Sequence, residues 1–261
     1  MKLSMYQVDA FANQLFAGNP AAIVPLDNWI SDDKMQALAA ENNLAETAFF
    51  VKEGEEYYIR WFTPVDEVPL CGHATLASAH VIFNELGYEG DIIKFNCKSG
   101  ELTVSQKEGW ITLNFPAMLT TEIAVKDNAI LAFGTKPVAA YISEKYYLMF
   151  EFDSEETIQN MNPNFNELLN WDERAIIVTA KSEKYDFVSR MFAPKIGVNE
   201  DPVTGSAHTR LIPFWSNKLG KSEMLAKQLS KRGGELKCKF LGDRVEMSGQ
   251  SVLYLKGEIF I

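Results

Sequence analysis

Tyr57-Tyr58-Ile59-Arg60-Trp61-Phe62-Thr63-Pro64 leads through a short loop to Gly72-His73-Ala74, and the chain then writes the same phrase again. Phe187-Val188-Ser189-Arg190-Met191-Phe192-Ala193-Pro194 leads to Gly205-Ser206-Ala207. The apolar segment after each phrase ends on a Leu-Gly pair, Leu86-Gly87 and Leu219-Gly220. From Gly72 to Gly87 is 15 positions, as it is from Gly205 to Gly220. Gly100-Glu101-Leu102 and Gly234-Glu235-Leu236 follow in turn, so the offset stays between 130 and 134 residues. Short matches of this kind are weak singly. Four in one order at nearly constant offset indicate an internal repeat.

Each copy reads as strands, a helix, then strands. Residues 47–51 and 57–63 are β-branched or aromatic, as strands prefer. Ser31 is a candidate N-cap for a helix carrying Met35, Leu38 and Ala39 on one stripe and fading at Asn42-Asn43. Glu108-Gly109 and Leu241-Gly242-Asp243 read as equivalent hairpin turns. Ala74 to Leu86 is apolar on nearly every side, and a helix of that kind must be buried. Among strands, it belongs inside a curved sheet. Its counterpart, Ala207 to Leu219, contains Pro213, which should kink it or cost it a backbone bond. An extra helix is expected near Ser154 to Asn170. The reading is an α/β (α+β) chain of two similar domains related by pseudo-twofold symmetry, each a curved sheet or barrel around a central helix. The first spans residues 1–116, completed by the last strand, 252–261; the second spans 117–251.

Composition narrows the function classes. The 261 residues include 25 Lys+Arg against 35 Asp+Glu, a net charge of −10, with no basic cluster. That argues against nucleic acid as a partner. No apolar run reaches the ~20 residues of a membrane span. The opening MKLSMYQVDAFAN reads as a first strand rather than a secretory signal. Cys71, Cys97 and Cys238 are odd in number and far apart, so a reducing cytoplasm is the expected location. G-x-G-x-x-G, Walker A, H-E-x-x-H and G-x-S-x-G patterns are all missing, which removes sequence support for nucleotide cofactors, zinc hydrolysis and a serine nucleophile.

Three patches carry chemistry. Asn42-Asn43-Leu44-Ala45-Glu46 places a carboxylate where a helix gives way to an apolar strand. Glu46 reads either as a surface turn residue or as a half-buried group suited to proton transfer. Cys71-Gly72-His73 stands at the start of the buried helix. The N–H groups at such an end bind carboxylates and stabilise developing negative charge, and would keep His73 neutral. His73 reads equally as a capping histidine, and Cys71 as a small buried residue or a reactive thiol. Cys71 and His73 are too close for an ordinary zinc-finger spacing, so no metal is expected. Glu200-Asp201-Pro202-Val203-Thr204-Gly205-Ser206-Ala207-His208 is the repeat mate, with Ser206 able to cap its helix. It reads either as a capped loop or as the other half of a cleft between the domains. In that cleft both helix starts would grip one carboxylate, with Glu46, His73 and Asp201 as proton carriers.

At these residues the sequence resembles the PhzF (phenazine-biosynthesis-like) family. The matching motifs are Asp9-Ala10-Phe11, Gly18-Asn19-Pro20, Asn43-Leu44-Ala45-Glu46, Phe62 to Thr75 and Glu200 to His208. The resemblance implies the fold of the diaminopimelate epimerases and cofactor-free isomerisation of a small carboxylate, with Glu46 as the acid/base. His73 and Asp201 would assist it, and Asn19, Gly72, Gly205 and Ser206 would bind substrate. It also implies a homodimer. The epimerases of this fold use a thiol pair, and here no cysteine lies near Gly205. An amino-acid epimerase or racemase using Cys71 stands as the alternative, beside a catalytically silent carboxylate-binding protein.

Overall fold

The computed structural model describes residues 1–143 and 147–261. The chain divides into two units, Met1–Phe115 with Met247–Ile261, and Pro116–Glu246. The first holds β1 (Lys2–Ala10), β2 (Asn19–Leu26), α1 (Asp32–Asn42), β3 (Glu46–Glu53), β4 (Glu56–Phe62), β5 (Glu67–Val68), α2 (Gly72–Glu85), β6 (Ile92–Cys97), β7 (Gly100–Lys107), β8 (Trp110–Pro116) and the C-terminal strand Ser251–Phe260.

Parallel pairs need a crossover, and each one here is bridged by a helix. β2 pairs parallel with β3 across α1, and β4 pairs parallel with β6 across α2. β1 with β2, β3 with β4, β4 with β5, β6 with β7 and β7 with β8 pair antiparallel. Glu108 and Gly109, at φ 51° and 77°, form the two-residue turn between β7 and β8. β1 lies between β2 and the C-terminal strand.

The two helices bury differently because their sequences differ. α1 turns Met35 and Ala39 onto Val24, Phe49 and Phe62 on one side of the sheet. Ser31 does occupy its N-cap position, but the hydroxyl makes no capping bond; Asp32 and Asp33 complement the helix dipole instead. α2 is buried continuously from His73 to Ile82 and packs against β1, β2, β3, β7 and the C-terminal strand. The sheet of this unit therefore encloses it.

The second unit repeats the connectivity. Its elements are β9 (Thr121–Ile123), α3 (Ala129–Phe133), β10 (Ala139–Ser143), β11 (Tyr147–Glu151), α4 (Glu155–Asn160), α5 (Phe165–Leu169), β12 (Ala175–Lys181), β13 (Phe187–Ala193), β14 (Val198–Asp201), α6 (Gly205–Leu219), β15 (Glu223–Gln228), β16 (Gly234–Phe240) and the start of β17 (Arg244–Gly249), which runs on past the unit boundary at Glu246. β11 pairs parallel with β12 across α4 and α5, and β13 pairs parallel with β15 across α6. The helix expected over 154–170 is thus two short ones. Pro163 disfavours a helical Asn162, and Ser154 and Asn164 each cap a separate start by accepting from Thr157 and Glu167 N–H groups.

α6 runs unbroken through Pro213. The proline leaves the Thr209 carbonyl without its helical donor, and the Met118 N–H fills that place at 3.0 Å. Trp215 anchors the helix by stacking on Phe187 at 5.8 Å and donating to Thr179 Oγ1 at 2.9 Å. Among the described residues no helix is long and apolar enough to cross a membrane.

Candidate active site

Three chain turns deliver the side chains of the first unit's site. In the first, Asp9 accepts the Phe16 N–H at 2.9 Å, and Ala10 pairs with Asn19. Gly18, at φ +65°, closes that loop; a Cβ there would stand 2.1 Å from the Ala10 carbonyl oxygen, so only glycine fits. Asn19 emerges as the first residue of β2, wholly buried. In the second turn, Asn43 ends α1 in the left-handed region at φ 49° and returns its N–H to Ala39. Glu46 then opens β3, opposite Ala21 of β2. In the third, Cys71 is the extended N-cap of α2, and Gly72 and His73 are its first helical residues. Neither Gly72 nor Gly205 adopts positive φ, so the glycines are not needed for a tight turn.

His73 collects these groups. Its Nε2 lies 3.1 Å from Glu46 Oε2. Its Nδ1 faces Asn19 Nδ2 at 3.2 Å and Cys71 Sγ at 3.5 Å. The Nε2–Oε2 contact lacks hydrogen-bond alignment, and neither atom has another hydrogen-bond partner. The His73 side chain is 5% exposed and that of Glu46 is 18% exposed, so the carboxylate is the member open to a ligand.

The His73 ring shifts in the direction opposite to the sequence expectation. Burial opposes protonation, but the Cys71 sulfur and the Glu46 carboxylate outweigh it and hold the ring well above the usual histidine range. Cys71 moves up as well, through burial first and the Glu46 charge second, with His73 opposing. The Glu46 carboxylate that enters both shifts comes from β3, outside the helix start.

In the second unit, Asp201 ends β14 and Thr204 is the N-cap of α6. Thr204 Oγ1 donates to Asp201 Oδ2 at 2.5 Å. Gln228, wholly buried, ties both together: it accepts the Thr204 N–H at 2.9 Å and donates to the Asp201 carbonyl at 2.8 Å. Ser206 lies inside the helix, so it is not the cap; its hydroxyl meets Tyr147 Oη at 3.0 Å. The Arg210 guanidinium stacks on the Tyr147 ring at 3.8 Å and donates to the Ser206 carbonyl at 2.8 Å. Gln228, Tyr147 and Arg210 escaped the sequence reading, since single polar residues in apolar strands and helices carry no spacing signal.

Strand register fixes the repeat equivalences. Trp61 pairs with Val68 as Met191 pairs with Asp201, so Asp201 stands where the first unit has Val68. Cys71 and Thr204 are both N-caps, which makes Ser206 the mate of His73 and His208 the mate of Thr75. The two units thus carry different groups at one frame: a thiol and an imidazole in the first, hydroxyls and a carboxylate in the second. Asn19, Glu46, Gly72 and His73 belong to the first unit; Asp201, Gly205 and Ser206 belong to the second. His208 is wholly buried, hydrogen-bonded through Nδ1 to the Thr204 carbonyl at 2.8 Å, and burial pushes it down to about 4. His80, inside α2, meets Ser251 Oγ at 2.8 Å. Among the described residues, Glu46, Cys71 and His73 form the group with metal-ligand character, one donor atom from each lying within 4.8 Å of the others.

The chain matches the family described as phenazine biosynthesis-like protein over residues 8–257. It is 48% identical to an uncharacterized isomerase of Halalkalibacterium halodurans, over the full length of both. It is similar to the crystal structure of a PhzF-family phenazine biosynthesis protein of Enterococcus faecalis, at 45% identity, TM-score 0.97 and complete coverage of both chains. It is also similar to a putative PhzC/PhzF protein structure from Clostridium difficile, at 43% identity and TM-score 0.90, covering 99% of this chain and 100% of that one. With the doubled α/β fold and the motif residues described above, these likenesses establish that the chain belongs to the phenazine biosynthesis-like (PhzF) family, whose fold is related to that of diaminopimelate epimerase.

Proposed function

We propose that this chain, an isomerase-type enzyme by its family, moves a proton within a small carboxylate substrate without a cofactor, using Glu46 as the acid and base. The observation that carries the reading is the buried contact of Glu46 Oε2 with His73 Nε2 at 3.1 Å. Glu46 takes a proton from a carbon activated by a neighbouring carbonyl or double bond, and returns it at another position. His73, with Nε2 facing Glu46, stabilises the negative charge that develops on the substrate. Asn19 orients the ring through Nδ1. The Gly72 N–H at the start of α2 supplies a donor for the substrate carboxylate. Asp201, Gly205 and Ser206 take part in the same reaction, Asp201 as a second proton carrier and the other two as binding groups; their repeat position and chemistry support this.

The Cys71 contact with His73 favours a second reading, an epimerase in which the thiol is one of two bases. The raised thiol counts against it, since the thiolate is the active form. A silent binding protein would hold carboxylates without exchanging their protons.

Incubation with a pool of small carboxylates in heavy water tests these readings together. The isomerase gives deuterium gain with a shifted double bond or carbonyl, cut by about 10²–10⁴ in Glu46→Gln. Inversion at a stereocentre, abolished by Cys71→Ala, identifies the epimerase. Saturable binding with no deuterium gain leaves the silent binder.

A further inference from the structure

We propose that Cys71, His73 and Glu46 also act as a nucleophilic triad, in which the Cys71 sulfur is transiently acylated by a small activated ester or thioester. The His73 ring bridges the other two side chains through opposite nitrogens. Its Nδ1 stands 3.5 Å from Cys71 Sγ, and its Nε2 stands 3.1 Å from Glu46 Oε2. Nucleophile, base and carboxylate in that order are the arrangement by which a thiol is activated to attack a carbonyl carbon. All three residues belong to the first unit.

The surroundings fit this use. Asn19 presents its amide nitrogen to the same Nδ1 at 3.2 Å. Facing donors on that side, Nδ1 is the acceptor of the neutral ring, and Nε2 carries the hydrogen towards Glu46. That tautomer can take the thiol proton. His73 Nε2 and Glu46 Oε2 are buried without a hydrogen-bond partner, so their contact has strength to gain when the ring becomes a cation. Cys71 is the N-cap of α2, and the Gly72 and His73 N–H groups that follow have no acceptor within the helix. They can receive the negative charge that develops on the carbonyl oxygen. Cys71 is 7% exposed, which restricts the acyl group to a small one. Burial and the Glu46 charge raise the thiol, and a raised thiol gives a scarcer but more nucleophilic thiolate. An epimerase base must stand ready as thiolate, whereas here the proton leaves only as the sulfur–carbon bond forms.

The steps balance without a further reactant than water. Sγ bonds to the carbonyl carbon as the S–H proton passes to His73 Nδ1. The carbon–oxygen or carbon–sulfur bond to the leaving group breaks, and that proton leaves with the departing alcohol or thiol. Water then adds to the acyl carbon, giving one proton to the ring. The sulfur–carbon bond breaks, the acid departs, and the ring returns the proton to sulfur. None of this rests on the proton-transfer reading of Glu46.

Mixing the intact chain with p-nitrophenyl acetate tests the triad. A burst of nitrophenolate, about one equivalent, is expected, and acid-quenched protein should carry one acetyl group that peptide mapping places on Cys71. The mapping needs no variant. Cys71→Ala should abolish the burst and Cys97→Ala should keep it. His73→Gln should slow acetylation of Cys71 by about 10²-fold or more, and Glu46→Gln should slow it as well. If His73→Gln does not fold, Glu46→Gln carries that comparison. No burst, or an acetyl group on Cys97 or elsewhere in place of Cys71, overturns the proposal. So does acetylation of Cys71 at an unchanged rate in the folded variants, which marks an ordinary thiol. If no carboxylate gains deuterium in heavy water, the isomerase reading fails while the acetyl group on Cys71 still reports the triad.

Discussion

His73 and Glu46 are 27 positions apart in sequence, and their side chains meet at 3.1 Å because α2 and β3 begin beside one another. The contact links the charge of one to that of the other, which makes the pair measurable before any substrate is known.

Removing the carboxylate should lower the titration of the His73 ring. In Glu46→Gln, ring resonances followed by NMR should titrate at lower pH than in the wild type. The stability consequence has a definite sign. A ring held above the unfolded value of ~6.5 contributes fully below that pH, and the contribution is lost as pH rises through the folded value. Wild-type stability should therefore fall over that alkaline range, and Glu46→Gln should flatten the fall. An unchanged ring titration in the variant would contradict the pairing.

His208 should act in the opposite direction. Its folded value of about 4 lies below the ordinary 6.5, so the unfolded chain binds the proton more readily. Stability is unaffected above ~6.5, declines as pH falls, and reaches its full loss below the folded value. Over that window the loss is on the order of 3 kcal/mol. Denaturant midpoints at pH 7 and 4.5 should show it, and His208→Gln should reduce the difference.

Gly18 and Gly54 share φ +65°, yet alanine should affect them unequally. At Gly54 a Cβ meets nothing within 4 Å, leaving only the left-handed penalty of about 1–2 kcal/mol. At Gly18 it also collides with the Ala10 carbonyl. Thermal unfolding should rank Gly18→Ala well below Gly54→Ala, and only the former should disturb Asn19 and with it the His73 ring.

Gln228→Leu should strand the buried Thr204 N–H, worth about 1–3 kcal/mol when unpaired, and remove one donor from the Asp201 carbonyl. A loss of a few kcal/mol by urea unfolding is expected. Gln228→Glu keeps the acceptor for Thr204 but loses the donor, and should fall between the two.

The doubled connectivity was legible because glycines and prolines punctuate both copies at constant spacing. Chemistry at a distance was not. Nothing in the sequence pairs Glu46 with His73, so the pull of that carboxylate on the ring could not be read from the helix start. The two separate helices α4 and α5 were hidden because Ser154 and Asn164 read as ordinary polar positions until Pro163 is weighed as a break. Gly72 and Gly205 marked the right helix starts for the wrong reason, since neither needs a positive φ.

The C-terminal strand pairs with β1 along residues 2–10, so the first unit is built from both ends of the chain. Residues 251–260 leave the ribosome only after all of 116–246 has been made. During synthesis the second unit has every strand it needs first, while β1 waits with an open edge. Exposed edges of that kind invite pairing with other chains. Order of completion is thus reversed relative to order of translation, and the half of the molecule that carries Glu46 and His73 is the last to close.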